Sequence, residues 1–403
     1  MAGGDVLQVG IVGKPNTGKS TFFAAATLLE VKRAPYPFTT VEPNRGIGYV
    51  KVRCVCKELG VIDNPQNSVC VEGWRFVPVE LIDVAGLVPD AWRGRGLGNM
   101  FLDHLRRAPV LIHVVDAAGA TDEEGRVVKP GTRDPIDDVL FLEREIEMWM
   151  LQVISRDWDR LAKTIEYSKN FEELYSRLAG LGVKPQVTQR VMEELGLQGK
   201  RVTSWSREDL YELVKAARRA ARPILLAANK IDIPVAADNI KRMREALGDR
   251  YIIVPTSAEA ELALKRAAKA GIVNYIPGSP DFDIVGQPTP SQLKALEYIR
   301  ENVLKPYGST GVQEALDRAV FDLLEMIAVF PVENEKKLTN SKGNVLPDVY
   351  LIHRDSTARD LAFEIHSELG EKFAFAVDAL TGRKLSAQEK LTHRMVVKIV
   401  TAK

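Results

Sequence analysis

Cysteine is nearly missing from this chain: three in 403 residues, Cys54, Cys56 and Cys70. A long chain so poor in cysteine has no disulfide framework, and the odd count points to a reducing compartment, the cytoplasm. The spacing sets Cys54 and Cys56 on one face of a strand, with Cys70 on a neighbouring strand. No fourth metal ligand is evident in the sequence, so the three read as structural thiols. Long hydrophobic runs are missing too. The longest, around PVLIHVVDAA, falls far short of the ~20 residues of a membrane span. The first strand starts too early to leave room for a signal peptide, and Ala2 stands where N-myristoylation needs glycine. Charge of one sign is also absent: 55 Lys and Arg against 54 Asp and Glu give a net charge of +1. No whole-molecule field therefore draws the chain to nucleic acid, and no DNA specificity is evident.

What the chain does have is a glycine-rich turn in a telling place. The apolar run Val6–Val12 reads as a buried strand, TFFAAATLL reads as a helix, and GKPNTGKST lies between them. Such a turn aims backbone N–H groups and the positive end of a helix dipole at one point, which binds phosphate. Gly13 and Gly18 admit the oxygens and Lys19 reaches the β- and γ-phosphates. Ser20 ligates Mg²⁺, and Asn16, Thr17 and Thr21 line the same cradle.

A phosphate site predicts further elements at later strand ends. FVPVELIDVAG ends a strand at Asp83, a candidate Mg²⁺ ligand through water, followed by Gly86, whose N–H suits a γ-phosphate oxygen. PILLAANKID ends at Asn229, Lys230 and Asp232. The Asp232 carboxylate can accept the N1–H and exocyclic amine of guanine, a donor pair adenine lacks. Ser257 and Ala258, after YIIVPT, are placed to contact guanine O6 through N–H groups. In the loop APYPFTTVEPN, Thr40, with Thr39 in reserve, is the candidate to close over Mg²⁺ and the γ-phosphate. The expected catalytic group is thus Lys19, Thr40, Gly86 and Asn16, with Ser20, Thr40 and Asp83 at the metal.

Texture divides the chain into parts: a nucleotide-binding α/β core at 1–133 and 222–320, a helical insertion at 134–221, and a compact sheet with β-grasp texture at 321–403. The core is a mostly parallel sheet with helices on both faces, and the insertion reads as two long antiparallel helices with shorter ones. Lys215, Arg218, Arg219 and Arg222 share one helix face. A solvated charged face is the first reading and contact with RNA phosphates the second. Thr357 caps the helix of the C-terminal sheet.

With these residues in view, YPFTTVEPN, DVAGLV and GRGLGNMFLDHLR make the chain resemble the YchF subfamily of the Obg-like, translation-factor-related P-loop GTPases, in its archaeal type with an NKxD motif. The resemblance covers nearly the whole chain. It implies a coiled-coil-like insertion, a C-terminal TGS domain, and association with ribosomes or RNA. Many YchF members carry glutamate at the place of Asp232 and prefer ATP, so Asp232 argues for guanine. A histidine proposed as catalytic in relatives lies in the loop after the VVDA strand, and GATDEEGRVVKPGTRDP has none. Leu87 follows Gly86 where Ras-like enzymes place a water-orienting glutamine, which implies slow hydrolysis. In related cation-activated GTPases an asparagine matching Asn16 holds K⁺; capping of the turn is its alternative role here.

The expectation is therefore a monomeric cytoplasmic GTPase that takes Mg²⁺ and K⁺ and switches between GTP and GDP on ribosomes or RNA, with no membrane partner. Two other readings stay open: an ATP-preferring relative, and a nucleotide-stabilised scaffold with incidental turnover.

Overall fold

The computed structural model describes residues 6–28, 44–84 and 108–402. Buried strand β1 (Gln8–Val12) runs through the glycine-rich turn into α1 (Lys19–Thr27). β2 (Arg45–Arg53) and β3 (Val69–Val71) both pair antiparallel with β4 (Trp74–Asp83), and β5 (Val110–Asp116) is buried along its length. Five helices follow: α2 (Pro135–Ile154), α3 (Trp158–Ser168), α4 (Glu172–Ala179), α5 (Pro185–Glu194) and α6 (Arg207–Ala221). Their starts are chemically marked. Asp134 accepts the Ile136 N–H ahead of Pro135, and Ser206 and Asp209 form a reciprocal capping box on α6.

The chain then returns to the sheet through β6 (Ile224–Asn229), α7 (Ala236–Leu247), β7 (Ile252–Thr256) and α8 (Ala258–Lys269). The strand order is β2-β4-β1-β5-β6-β7, with β3 beside β4, and β4, β1, β5, β6 and β7 run parallel. The loops leaving β1, β6 and β7 therefore meet at one edge, the carboxyl ends of the strands, where open α/β sheets bind ligands.

Both sheet faces are covered. On one, Val12, Leu111, Val115 and Leu226 join Leu142, Ile146, Leu213 and Ala217 in a single core, so the insertion helices are docked on the sheet. On the other face, Ile11, Val79, Ile112 and Val254 pack with Phe22 of α1 and with α10 (Val312–Arg318), which comes after the small ribbon β8 (Val273–Asn274), β9 (Asp283–Ile284) and helix α9 (Pro290–Ile299).

The C-terminal sheet starts at β10 (Met326–Val332) and continues through β11 (Tyr350–His353), α11 (Ala358–Ile365), β12 (Phe373–Asp378), β13 (Lys384–Leu385) and β14 (Val396–Thr401), ordered β11-β10-β14-β12-β13. Thr357 and Asp360 cap α11 reciprocally. Period-two alternation decides how this sheet attaches. Ile327 and Val329 face a small core with Leu361 and Val397, while Ala328, Phe330 and Val332 enter the core under the nucleotide sheet. Among the described residues no helix is long and apolar enough to cross a membrane.

Two sequence expectations are corrected here. The row of basic residues from Lys215 to Arg222 is not a single solvated face open to RNA, since only Arg219 of the four is exposed. Arg218 and Arg222 are buried, at 2 % and 5 % exposure. The Arg218 guanidinium donates to Glu147 at 3.1 Å and Glu143 at 2.8 Å on the antiparallel α2, and Arg222 donates to the carbonyls of Ala108 and Leu181. Tyr211 donates to Glu147 and Tyr251 to Glu143, completing the network. Likewise, Cys54 and Cys56 lie in the turn that follows β2, with only Cys70 on a strand, β3.

A buried pair broken on one side leaves an uncompensated charge. Arg218→Ala is therefore expected to cost about 3–5 kcal/mol in urea unfolding, whereas Arg219→Ala, on the exposed side of the same helix, is expected to stay within about 0.5 kcal/mol.

Candidate nucleotide site

The turn after β1 and the loops after β6 and β7 line one cleft, with a volume of about 670 Å³. It brings together Asn16, Gly18, Lys19, Ser20 and Thr21 from the first turn, Asn229, Lys230 and Asp232 from the second, and Ser257 and Ala258 from the third. Gly13 and Thr17 are buried beneath it. A Cβ at Gly13 would lie 2.6 Å from the Val114 carbonyl, and one at Gly18 would overlap the Asn229 amide. Gly18 also has φ of 91°, which a side chain disfavours. The glycines are thus required by the protein's own packing.

Asn229 ties the three loops together. Its Nδ2 donates to the Thr17 carbonyl at 2.9 Å, and its Oδ1 accepts the Ala258 N–H at 3.0 Å. Lys230 follows at φ 70° and pairs with buried Asp116 at 2.8 Å. Asp116 also accepts the N–H groups of Ala118 and Ala120. The Ser257 hydroxyl donates to Asp232 Oδ1 at 2.9 Å and holds that carboxylate in the cleft. The backbone N–H groups of Ser257 and Ala258 have protein acceptors, the Thr310 carbonyl and Asn229 Oδ1. A guanine O6 contact at Ala258 would have to be shared with Asn229, and Ser257 acts here through its hydroxyl.

At the phosphate end, Lys19 forms an ion pair with Asp83 at the end of β4. Asn16, at φ 62°, donates its Nδ2 to the Gly125 carbonyl at 2.9 Å. Thr39, Thr40, Gly86 and Leu87 lie outside the described residues.

Several residues around the site carried no signal in the sequence. Lys14, at a position of the turn where no residue type is required, is 2 % exposed and pairs with Asp138 of α2 at 2.7 Å. It also donates to the Asp122 carbonyl at 2.7 Å. Burial pushes the Asp138 carboxyl up, opposed by Lys14. The loop 118–133, in which relatives' histidine was sought, thus braces the outer side of the P-loop. His113, beside Val12 across the β1–β5 pairing, is fully buried, and burial, then the nearby Lys14 charge, push it down to about 3.

Asn229→Ala would leave the Thr17 carbonyl and the Ala258 N–H without their partner. Calorimetry on this variant is expected to show nucleotide affinity at least ~10-fold weaker, with about 1–3 kcal/mol lost in denaturant unfolding. His113 gives a pH prediction. Its folded value lies below the unfolded value of about 6.5, so the unfolded state binds the extra proton. This contribution is whole above about pH 6.5 and declines by up to about 1.4 kcal/mol per unit as pH falls toward 3. His113→Leu is expected to flatten that acid limb in unfolding midpoints measured between those values.

Comparison with known proteins agrees with this geometry. Residues 8–144 match the 50S ribosome-binding GTPase family, residues 227–334 the G4-motif-containing domain of YGR210-like Obg-like GTPases, and residues 339–401 the TGS domain. The chain is 47 % identical over 400 residues to an uncharacterized GTP-binding protein of Methanocaldococcus jannaschii, covering 98 % of this chain and all of that one. It is 33 % identical to the ribosome-binding ATPase YchF of Bacillus subtilis, over 64 % of this chain and 67 % of that one. The crystal structure of a GTP-binding protein from Pyrococcus horikoshii OT3 superposes with a TM-score of 0.79 at 41 % identity, over 98 % of this chain and 100 % of that one. On its P-loop core, its TGS domain and these relatives, the chain belongs to the Obg-like, YchF-type family of GTP-binding proteins.

Proposed function

We propose that this protein binds GTP with Mg²⁺, hydrolyses it slowly to GDP, and works as a nucleotide-timed switch on the ribosome or its RNA. The observation that carries the base preference is Asp232, set in the same cleft as Lys19 and Ser20 with one carboxylate oxygen held by Ser257. A fixed carboxylate facing a purine rewards the N1–H and amine of guanine, and a site built to meet donors rejects a base lacking them.

In this reading Lys19 neutralises the β- and γ-phosphates. Ser20 and Asp83 would hold Mg²⁺, and Thr40 and Gly86 would respond to the γ-phosphate. The metal supplies charge neutralisation and in-line orientation. Asn16 is the candidate K⁺ ligand: its nitrogen is committed to Gly125, which turns the amide oxygen into the donor left for a cation. Leu87 cannot orient water, so intrinsic turnover is slow and K⁺ supplies charge stabilisation in place of an arginine finger.

The ribosome enters because residues 8–144 match a 50S ribosome-binding family and the Bacillus subtilis relative is named ribosome-binding. A monomeric, cytoplasmic protein fits such a partner. The same relative is named an ATPase, which keeps an ATP-using activity as the second reading. A nucleotide-stabilised ribosome scaffold with incidental turnover is the third.

Titration calorimetry with Mg²⁺ decides the base, and single-turnover hydrolysis in K⁺ and in Na⁺ decides the cation. GTP is expected to bind at least ~100-fold more tightly than ATP, about 2.7 kcal/mol, and Asp232→Ala to remove most of that gap. K⁺ is expected to accelerate hydrolysis only while Asn16 is present. Equal affinity for ATP would overturn the guanine assignment, and turnover absent even with K⁺ and ribosomes would favour the scaffold.

A further inference from the structure

All three cysteines of the chain converge on one point, and a carboxylate joins them there. Cys54 and Cys56 lie in the turn after β2, Cys70 is the middle residue of β3, and Asp63 comes from the loop between. One donor atom from each of the four lies within 4.8 Å of every other. Cys54 and Cys56 are buried, at 1 % and 3 % exposure, and the Asp63 side chain is 11 % exposed. The nucleotide site uses none of these residues.

Two distances argue for a coordination sphere. Cys56 Sγ and Cys70 Sγ are 3.8 Å apart, and Cys54 Sγ is 3.2 Å from Asp63 Oδ2. A tetrahedral ion with Zn–S bonds of about 2.3 Å holds its sulfur atoms about 3.8 Å apart. The Cys56–Cys70 separation therefore already spans one edge of such a tetrahedron, and it is far from the ~2.05 Å of a disulfide. The sequence alone offered only three ligands; the fold supplies the fourth.

We propose that Cys54, Cys56, Cys70 and Asp63 form a structural Zn²⁺ site that fixes the 54–70 loop. Three sulfur donors with one oxygen suit a borderline-soft d¹⁰ ion and disfavour Mg²⁺ or Ca²⁺. Binding makes three Zn–S bonds and one Zn–O bond and releases the three thiol protons to solvent. Charge is managed by Arg75, which is fully buried, donates to Asp63 Oδ2 at 2.7 Å and lies 3.5 Å from Cys54 Sγ. Three thiolates and a carboxylate, offset by Zn²⁺ and this guanidinium, leave a single formal negative charge. Arg75 is the outer-shell donor that orients a ligating carboxylate.

The site also has something to hold. Asn64 and Gln66 donate their N–H groups to the carbonyls of Val345 and Pro347, at 2.8 and 2.6 Å, and Asn67 exchanges two hydrogen bonds with the Val349 backbone. Arg75 itself donates to the Leu346 carbonyl. A loop without helix or strand from 54 to 68 thus carries the segment leading into β11. Zinc would turn that loop into a rigid platform joining the nucleotide core to the C-terminal sheet.

The test uses the full chain, expressed with zinc in the medium and purified without chelator. Elemental analysis is expected to give about one zinc per chain, released by a thiol-blocking mercurial. The stripped protein, titrated with Co²⁺, is expected to show near-ultraviolet thiolate charge-transfer and strong visible bands of tetrahedral cobalt. Cys70→Ser is expected to lower Co²⁺ affinity at least ~10-fold, and Asp63→Asn to keep the charge-transfer band with weaker binding, ~10–100-fold. If the cysteine variant does not fold, the wild-type zinc content and cobalt spectrum decide alone. Zinc below about a tenth of an equivalent with no thiolate–cobalt band, or a Cys56–Cys70 disulfide in protein kept reduced, overturns the proposal.

Discussion

The nucleotide cleft depends on one of its own lining side chains. Asn229 has one acceptor and one donor group, and it spends them on the Thr17 carbonyl and the Ala258 N–H. These are main-chain groups from the two neighbouring loops, so the turn after β1 cannot move relative to the loop after β7 without losing a buried hydrogen bond. The same amide explains Gly18, since a Cβ there would occupy the space of Nδ2. The P-loop glycine and the strand-end asparagine are thus a single packing requirement, written twice in the sequence.

A second constraint ties the domains. β10 alternates between two cores, sending Phe330 beneath the nucleotide sheet and Val329 into the small C-terminal core. A β-strand serving two cores cannot rotate without exposing one of them. The C-terminal sheet is therefore a continuation of the nucleotide domain on this side, and the 54–70 loop fastens the same junction from the other end of the segment. A change at the strand ends of the first sheet has a stiff path to the second.

The elements legible in the sequence are those where chemistry demands residue types at fixed spacing. Gly13 to Ser20 and Asn229 to Asp232 are of this kind, and the capping residue Thr357 is another. What stayed hidden was set by partners far away in the chain. The row from Lys215 to Arg222 gave a helix face but not its direction; Glu143 and Glu147, four apart on α2, turn Arg218 inward. Cys54 and Cys56 read as strand residues because nothing local marks the end of β2 at Arg53, where the chain turns, and Asp63, nine residues after Cys54, has no spacing signature. His113 and Asp138 read as ordinary strand and helix residues, since nothing local distinguishes a buried titratable group from a surface one.

The two lysines of the P-loop show why burial, and not residue type, divides scaffold from chemistry. Lys14 is sealed, with a carboxylate and a backbone carbonyl both at 2.7 Å, and withdrawing it would strand Asp138 in the interior. Lys19 is more exposed and pairs with Asp83, at the end of β4. Asp83 is also a proposed Mg²⁺ residue, so a bound metal would compete with Lys19 for that carboxylate, while the β- and γ-phosphates would offer the lysine a replacement. In the proposed reading this would couple the Mg²⁺ and phosphate sites through one salt bridge at the end of β4.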